Sequence, residues 1–431
     1  MTVPHLAAAG PVELREPLTV EAGFDHCRQA ALGDSGVGPV GLEIETHLVD
    51  LDAPGDRVGW DRVQAMLPAA RAAAGRNAVT MEPGGQLELS GPPAPGVAAA
   101  CAELRHDVQA VRLALAGQRL GLAHAGADPA RPSRRVNPRP RYRAMERHYA
   151  AAGRGAAGAV MMASTAALQV NLEAGPAGGW ARRVALANRI GPTLVAISAC
   201  SPWLDGRDTG WKSARQRAWF GLDPRACGPV PGCVAASAAA DDSLDPASAW
   251  ARYAMAAPVA FVRDDGDEVT AVPGAVSFQD WASGAVRLGR RAPTAADLDV
   301  HLTTLFPPVR LRGYLELRYL DMTPPRWWPG IAAVAATLLD DPVAAGQATE
   351  ATEQTAQLWT ESARDGLRHA ALADSARRCV AIAAGRAPAA LAPAVGDLAE
   401  LVESGRCPGD LLADRIAEVG PATALGELAH A

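Results

Sequence analysis

The stretch "VTMEPGGQLELSG", residues 79–91, sets a tight bend between two short extended segments and places a glutamate on each side of it, Glu82 and Glu88. Pro-Gly-Gly interrupts any regular element, so the chain must turn there. Beyond the bend, Gln86, Glu88 and Ser90 alternate with Leu87 and Leu89, the period-two pattern of a strand with one polar and one apolar face. In a single antiparallel strand such a polar face ordinarily meets water.

That reading weakens because the oddity recurs. "PVGLEIETHLVD", residues 39–50, sets Glu43, Glu45 and His47 against Leu42, Ile44, Thr46 and Leu48. "ALQVNLE", residues 167–173, sets Gln169, Asn171 and Glu173 against Leu168, Val170 and Leu172. "VRLRGYLELRYLD", residues 309–321, sets Tyr314, Glu316 and Arg318 against Leu315, Leu317 and Tyr319. If the four segments form one sheet, Glu43, Glu45, Glu82, Gln86, Glu88, Gln169, Asn171, Glu316 and Arg318 converge on one surface. Crowded carboxylates repel one another and persist in a half-buried site only beside counter-charges. Arg318 cannot balance five glutamates. Divalent cations can, and oxygen donors without a cysteine or histidine pair point to magnesium or calcium rather than zinc. Magnesium on carboxylates is commonly completed by water and nucleotide phosphates.

Two other chemistries fit part of the pattern. Glycoside hydrolysis uses paired carboxylates, but needs two rather than five with amides, and sugar clefts carry more aromatics than the 5% of this chain. A structural cation cage in a binding protein is the other, although the arginines beside these strands suit anionic ligands better than a sealed cage.

The composition is that of a globular protein: 431 residues, 49% hydrophobic, with a formal charge of −6. The acidic balance argues against a nucleic-acid binder. Seven cysteines without CxxC spacing suit a reducing compartment, and neither a signal peptide nor a membrane-length apolar run is evident. A cytoplasmic location with no membrane partner is the expectation. Lys212 is the single lysine, in "GRDTGWKS", where Trp211 separates it from Gly210. A P-loop needs Gly-Lys adjacent, so that route to a nucleotide site is closed. The basic run "RPSRRVNPRPRYR", residues 131–143, reads mostly as a solvated, proline-stiffened loop.

Periodicity predicts a short helix ending near residue 33, helices over 60–75, 97–120 and 181–199, and one around 294–306 capped by Thr294. The tract 203–290 reads as loop-rich with a short strand at "PVAFVR", and residues 331–431 as helices. Residues 1–330 are expected to form the catalytic domain and 331–431 a helical region packed on it.

Together the blocks "EPGGQLELSG", "RPRYRAMERHY", "MMASTAALQVNLE", "SPWLDGRDTGWKSARQRAW" and "HLTTLFPPVRLRGYLELRYLD" resemble, in that order, the glutamate-cysteine ligases of the plant and proteobacterial type. "GLEIETHLVDL" resembles most the actinobacterial members that make γ-glutamylcysteine for ergothioneine biosynthesis. The resemblance spans roughly residues 38–325. It implies an α+β, glutamine-synthetase-like fold, a curved and mostly antiparallel sheet with helices outside. It also implies ATP-dependent joining of glutamate to cysteine through a γ-glutamyl phosphate. By motif position Glu43, Glu45, Glu82, Glu88 and Glu316 would bind magnesium, and Gln169 and Asn171 would contact metal or nucleotide. Arg318 would act with Glu316 in catalysis, and Arg141, Tyr142 and Arg215 would hold substrate glutamate. A related ligase with another amine acceptor, or a silent ATP- and amino-acid-binding relative, would share these motifs. His47 and His301 are expected to be packing histidines.

Overall fold

Residues 16–233, 245–263, 269–289 and 291–430 are described by a computed structural model. Residues 1–15 and parts of the 203–290 tract lie outside them.

The strand β1, Val40–Asp50, organises the sheet. Its first half lies between β3 (Leu87–Ser90) and β5 (Ala167–Glu173), and its second half pairs with β4 (Leu120–Ala123). Outside β3 lies β2 (Ala78–Met81). Outside β5 lies β11 (Tyr314–Asp321), and then its hairpin partner β10 (Val309–Leu311). The order β10-β11-β5-β1-β3-β2, with β4 on β1, makes seven strands paired antiparallel throughout. Two small ribbons stand apart: β6 (Trp203–Leu204) with β7 (Arg207–Asp208), and β8 (Phe261–Arg263) with β9 (Val269–Ala271).

The apolar sides of the alternating strands form the core. Leu42, Ile44, Leu87, Leu89, Leu168, Val170, Leu172, Leu315 and Leu317 are buried together in one cluster. The helices Val97–Ala116, Gly191–Ser198 and Trp328–Asp340 bring Leu104, Val108, Leu194, Ile331 and Val334 to the same cluster. The sheet is therefore covered on this side, and its other side is left to the polar residues.

Several helices differ from the sequence reading. Residues 97–120 stop as a helix at Ala116, because Gly117 and a left-handed Arg119 (φ 57°) turn the chain into β4. The segment 181–199 is two helices, Trp180–Arg189 and Gly191–Ser198, broken ahead of Pro192, whose ring removes a helical donor. Thr294 caps its helix in a capping box with Asp297, but that helix ends at Leu302. In the tract read as loop-rich, Pro246–Ala256 is a buried helix whose Asp245 cap accepts from the Ala247 amide. Small residues dilute its apolar periodicity, while Trp250, Tyr253 and Met255 fix it in the core.

Candidate functional site

Residues directly opposite across an antiparallel pair share a face, so the register builds the site. Glu45 is opposite Glu88, and Glu88 opposite Thr80. Glu43 is opposite both Ser90 and Gln169. Asn171 is opposite Glu316, and Glu316 opposite Arg310. Six of the nine residues singled out, four glutamates and the amides Gln169 and Asn171, thus lie in cross-strand rows. A register shift between Leu317 and Leu320 in β11 lies beside Arg318.

The glutamates are half-buried and close enough to disturb one another. Burial is the first cause that raises Glu43, to about 7, followed by Glu88 and Glu316, against a hydrogen bond from Asn171 Nδ2 (2.9 Å). Burial raises Glu45 as well, opposed by Arg215, Arg318 and the Ala167 amide, which donates to Oε2 at 2.7 Å. Glu82 is raised well above the carboxylate range by burial and then by Glu88 and Glu45. Glu88 is raised by burial and by Glu45, although Thr80 and Ser90 hydroxyls donate to it at 3.0 and 2.9 Å. Four carboxylates on one surface therefore lack enough positive charge.

Glu316 is the exception. It is 1% exposed, and burial pushes its carboxyl up, but Arg310 and Arg318 outweigh that and hold it down at about 2. Arg310 donates to both of its oxygens, through Nε and through Nη2 at 2.9 Å. Arg318 Nη1 stands 3.2 Å from Glu316 and donates to Gln169 Oε1 at 2.7 Å. Sequence reasoning passed over Arg310. Its signal was the hairpin spacing in "VRLRGYLE", which sets Arg310 across from Glu316.

The other arginines reach the face from two helices. Arg141 and Tyr142 lie on Pro140–Ala151. Arg141 donates to the Thr303 hydroxyl (2.7 Å) and carbonyl (3.0 Å) and lies 5.4 Å from the Phe261 ring centre. Glu82 acts on both Arg141 and Tyr142, and burial, followed by Glu82, raises the Tyr142 hydroxyl. Arg215, on Ala214–Phe220, is 2% exposed, donates through Nη2 to the Arg318 carbonyl at 2.6 Å and lies 3.8 Å from Asp321. Its Nε and Nη1 are buried with no acceptor among the described residues.

Two expectations fail. Gln86 does not join the acidic face. It is 2% exposed, accepts from the Gly84 amide at 2.9 Å and donates to the Thr165 carbonyl at 2.9 Å, so it locks the bend from within. Arg131 is not solvated. It is 2% exposed and donates to Asp128 at 2.7 Å and to the Leu48 carbonyl at 2.8 Å. The remainder of the run behaves as expected at Arg134, Arg139 and Arg143, which are exposed. His47 and His301 are buried and bond to the carbonyls of Ala125 and Ala254.

The donor set suits a hard divalent cation: glutamate oxygens, with no cysteine or histidine among them. Among the described residues no three such side chains are already gathered around one point as a metal cage. An ion held here would draw further ligands from water or a bound phosphate, as magnesium does.

The fold is shared with a solved ligase. A solved structure titled as the glutamate-cysteine ligase of Francisella tularensis in complex with AMP superposes with a TM-score of 0.55. It is 13% identical in sequence and covers 93% of this chain and 89% of that one. This agrees with the expected α+β class, a mostly antiparallel sheet with helices outside it. The chain belongs to Glutamate-cysteine ligase family 2 (GCS2), which matches residues 39–429. It is 47% identical over 429 residues to the glutamate-cysteine ligase EgtA of Mycolicibacterium smegmatis, covering 100% of this chain and 99% of that one. It is 46% identical to EgtA of Mycobacterium tuberculosis over 430 residues, 98% of each. The chloroplastic glutamate-cysteine ligase of Medicago truncatula is 28% identical over 322 residues, 74% of this chain and 60% of that one. No helix among the described residues is long and apolar enough to cross a membrane.

Proposed function

We propose that this chain joins the γ-carboxylate of L-glutamate to the amine of L-cysteine, giving γ-glutamylcysteine, ADP and phosphate, in the cytoplasm and feeding ergothioneine biosynthesis. The observation that carries the chemistry is the set of half-buried glutamates, Glu43, Glu45, Glu82 and Glu88, whose carboxyls burial and mutual repulsion raise. Such a surface wants cations, and the full-length similarity to the two EgtA ligases supports the substrates.

In this reading Glu43, Glu45, Glu82, Glu88 and Glu316 would hold magnesium, and Gln169 and Asn171 on the same face would contact metal or nucleotide. The chemistry magnesium would supply there is counter-charge for the transferring phosphoryl group. Arg318, steered by Gln169 and Glu316, supplies the side-chain counter-charge at that group. Arg215 offers Nε and Nη1, which donate no hydrogen bond among the described residues, to the α-carboxylate of glutamate, and Arg141 with Tyr142 lines the side near Glu82. A γ-carboxylate oxygen of glutamate attacks the terminal phosphorus of ATP and ADP leaves. The free amine of cysteine, having lost its ammonium proton, then forms the C–N bond as phosphate leaves and the second amine proton is shed. Residues 1–330 carry this chemistry, and 331–431 brace it.

The test is phosphate release with ATP, magnesium, glutamate and cysteine, each omitted in turn. Release should need all four, and release indifferent to glutamate would sink the reading.

A further inference from the structure

Beyond Arg318 lies a cavity of about 280 Å³ lined by Trp219, Leu222, Cys227, Phe306, Trp359 and Arg318. We propose that this cavity receives the side chain of the amine acceptor and that Trp219 and Phe306 select a small, uncharged, polarisable one, as a thiol side chain is. The inference rests on the ligase reading.

Size and charge decide between the substrates. The cavity falls below the usual range for drug-sized ligands, so it suits an amino-acid side chain and not a nucleotide. Its wall is mostly aromatic and aliphatic, Gln216 and Thr360 add neutral polar groups, and its one charged residue is Arg318, whose charge is already shared with Glu316 and Gln169. Glutamate, with two carboxylates, would leave a charge poorly matched there. The Trp219 and Phe306 rings stand 5.5 Å apart and tilted by 58°, and Arg318 lies 5.6 Å from the Phe306 centre. Arg318 is thus a wall common to the cavity and the acidic face, and an acceptor seated in the one has its amine beside the other. Sulfur against ring edges is favourable.

Trp219 also carries a buried indole N–H with no acceptor among the described residues. Buried donors are seldom left unmatched, and the carboxylate of a bound acceptor would supply the missing oxygen. Cys227 is a passive part of the wall, since burial pushes its thiol up to about 12 and leaves it uncharged.

The test varies glutamate, cysteine and ATP separately in the wild type, Trp219→Phe and Phe306→Leu, with melting curves as a check on folding. Both variants should raise the KM for cysteine by about tenfold or more and leave those for glutamate and ATP within about twofold. Phe306→Ala should also raise the kcat/KM of homocysteine relative to cysteine by making room. An unchanged cysteine KM in a folded Phe306→Leu protein, or a shift confined to glutamate or ATP, overturns the assignment. A wild type that releases phosphate without needing glutamate contradicts the ligase reading itself, and the pocket with it.

Discussion

Glu88 and Glu316 are both glutamates on one sheet face, yet their surroundings push them in opposite directions, up by burial and Glu45, and down by Arg310 and Arg318. Glu88→Gln removes a repelling charge while keeping shape. Turnover should fall by about a hundredfold or more if a metal ligand is lost, while the metal-free melting temperature stays level or rises. A lower melting temperature with normal turnover would count against the role. Arg310→Met takes from the buried Glu316 the one partner that bonds both its oxygens, leaving Arg318 at 3.2 Å and Arg312 at 3.8 Å, which costs about 3 kcal/mol. Urea unfolding should show that loss, and Arg310→Met with Glu316→Leu should recover most of it. His301 gives a pH dependence. Burial lowers it from 6.5 to about 4, with its Nε2–H on the Ala254 carbonyl and its Nδ1 lacking a partner. Above pH 6.5 neither folded nor unfolded chain protonates it. As pH falls from 6.5 towards 4 only the unfolded chain takes the proton, so stability drops by about 3 kcal/mol over that window. Unfolding free energies from pH 7 to 4 should show this component vanish in His301→Gln.

The element that decides the site is the bend before β3. Gly84 fits only without a side chain, because a Cβ would stand 2.1 Å from the Ala163 carbonyl oxygen, and Gly85 takes φ +86°. Arg57 donates to the Gly84 carbonyl (3.2 Å) and Ser164 (2.9 Å), and Asn137 donates to the Met81 carbonyl at 2.9 Å. These contacts fix where Glu82 emerges. Arg57→Ala should therefore raise the magnesium concentration needed for half-maximal rate and lower kcat, by about tenfold together, with partial recovery in Arg57→Lys. Equal loss in both, with no change in magnesium dependence, would mean a purely structural role. Much of this was legible: alternation marked the strands, and the two glutamates flanking Pro-Gly-Gly marked the face. Gln86 misled because side-chain direction follows alternation only inside a strand, and β3 begins one residue later, at Leu87. Arg131 misled because its partner Asp128 and the Leu48 carbonyl come together only in the folded chain. The helix Pro246–Ala256 was hidden because alanine carries little periodic signal.

At the scale of the molecule, the acidic face depends on helices far along the chain. Pro421–His430 packs on β4, so closely that a Cβ at Gly121 would meet the Ala429 carbonyl oxygen at 2.6 Å, and β4 is paired to the same β1 that carries Glu43 and Glu45. Deleting residues 421–431 removes Leu425 and Ala429 and uncovers Val49 and Ala123, on which they pack, and should lower the melting temperature by several degrees and activity with it. An unchanged melting curve would show that the face is self-supporting. The central claim is that this face makes an acyl phosphate of glutamate and passes it to an amine. Its most direct measurement uses ¹⁸O in the γ-carboxylate of glutamate, with ATP, magnesium and cysteine, and mass spectrometry of the released phosphate. One ¹⁸O per phosphate, matched by one γ-glutamylcysteine, is the predicted result. Unlabelled phosphate, or phosphate formed without the dipeptide, would contradict the account.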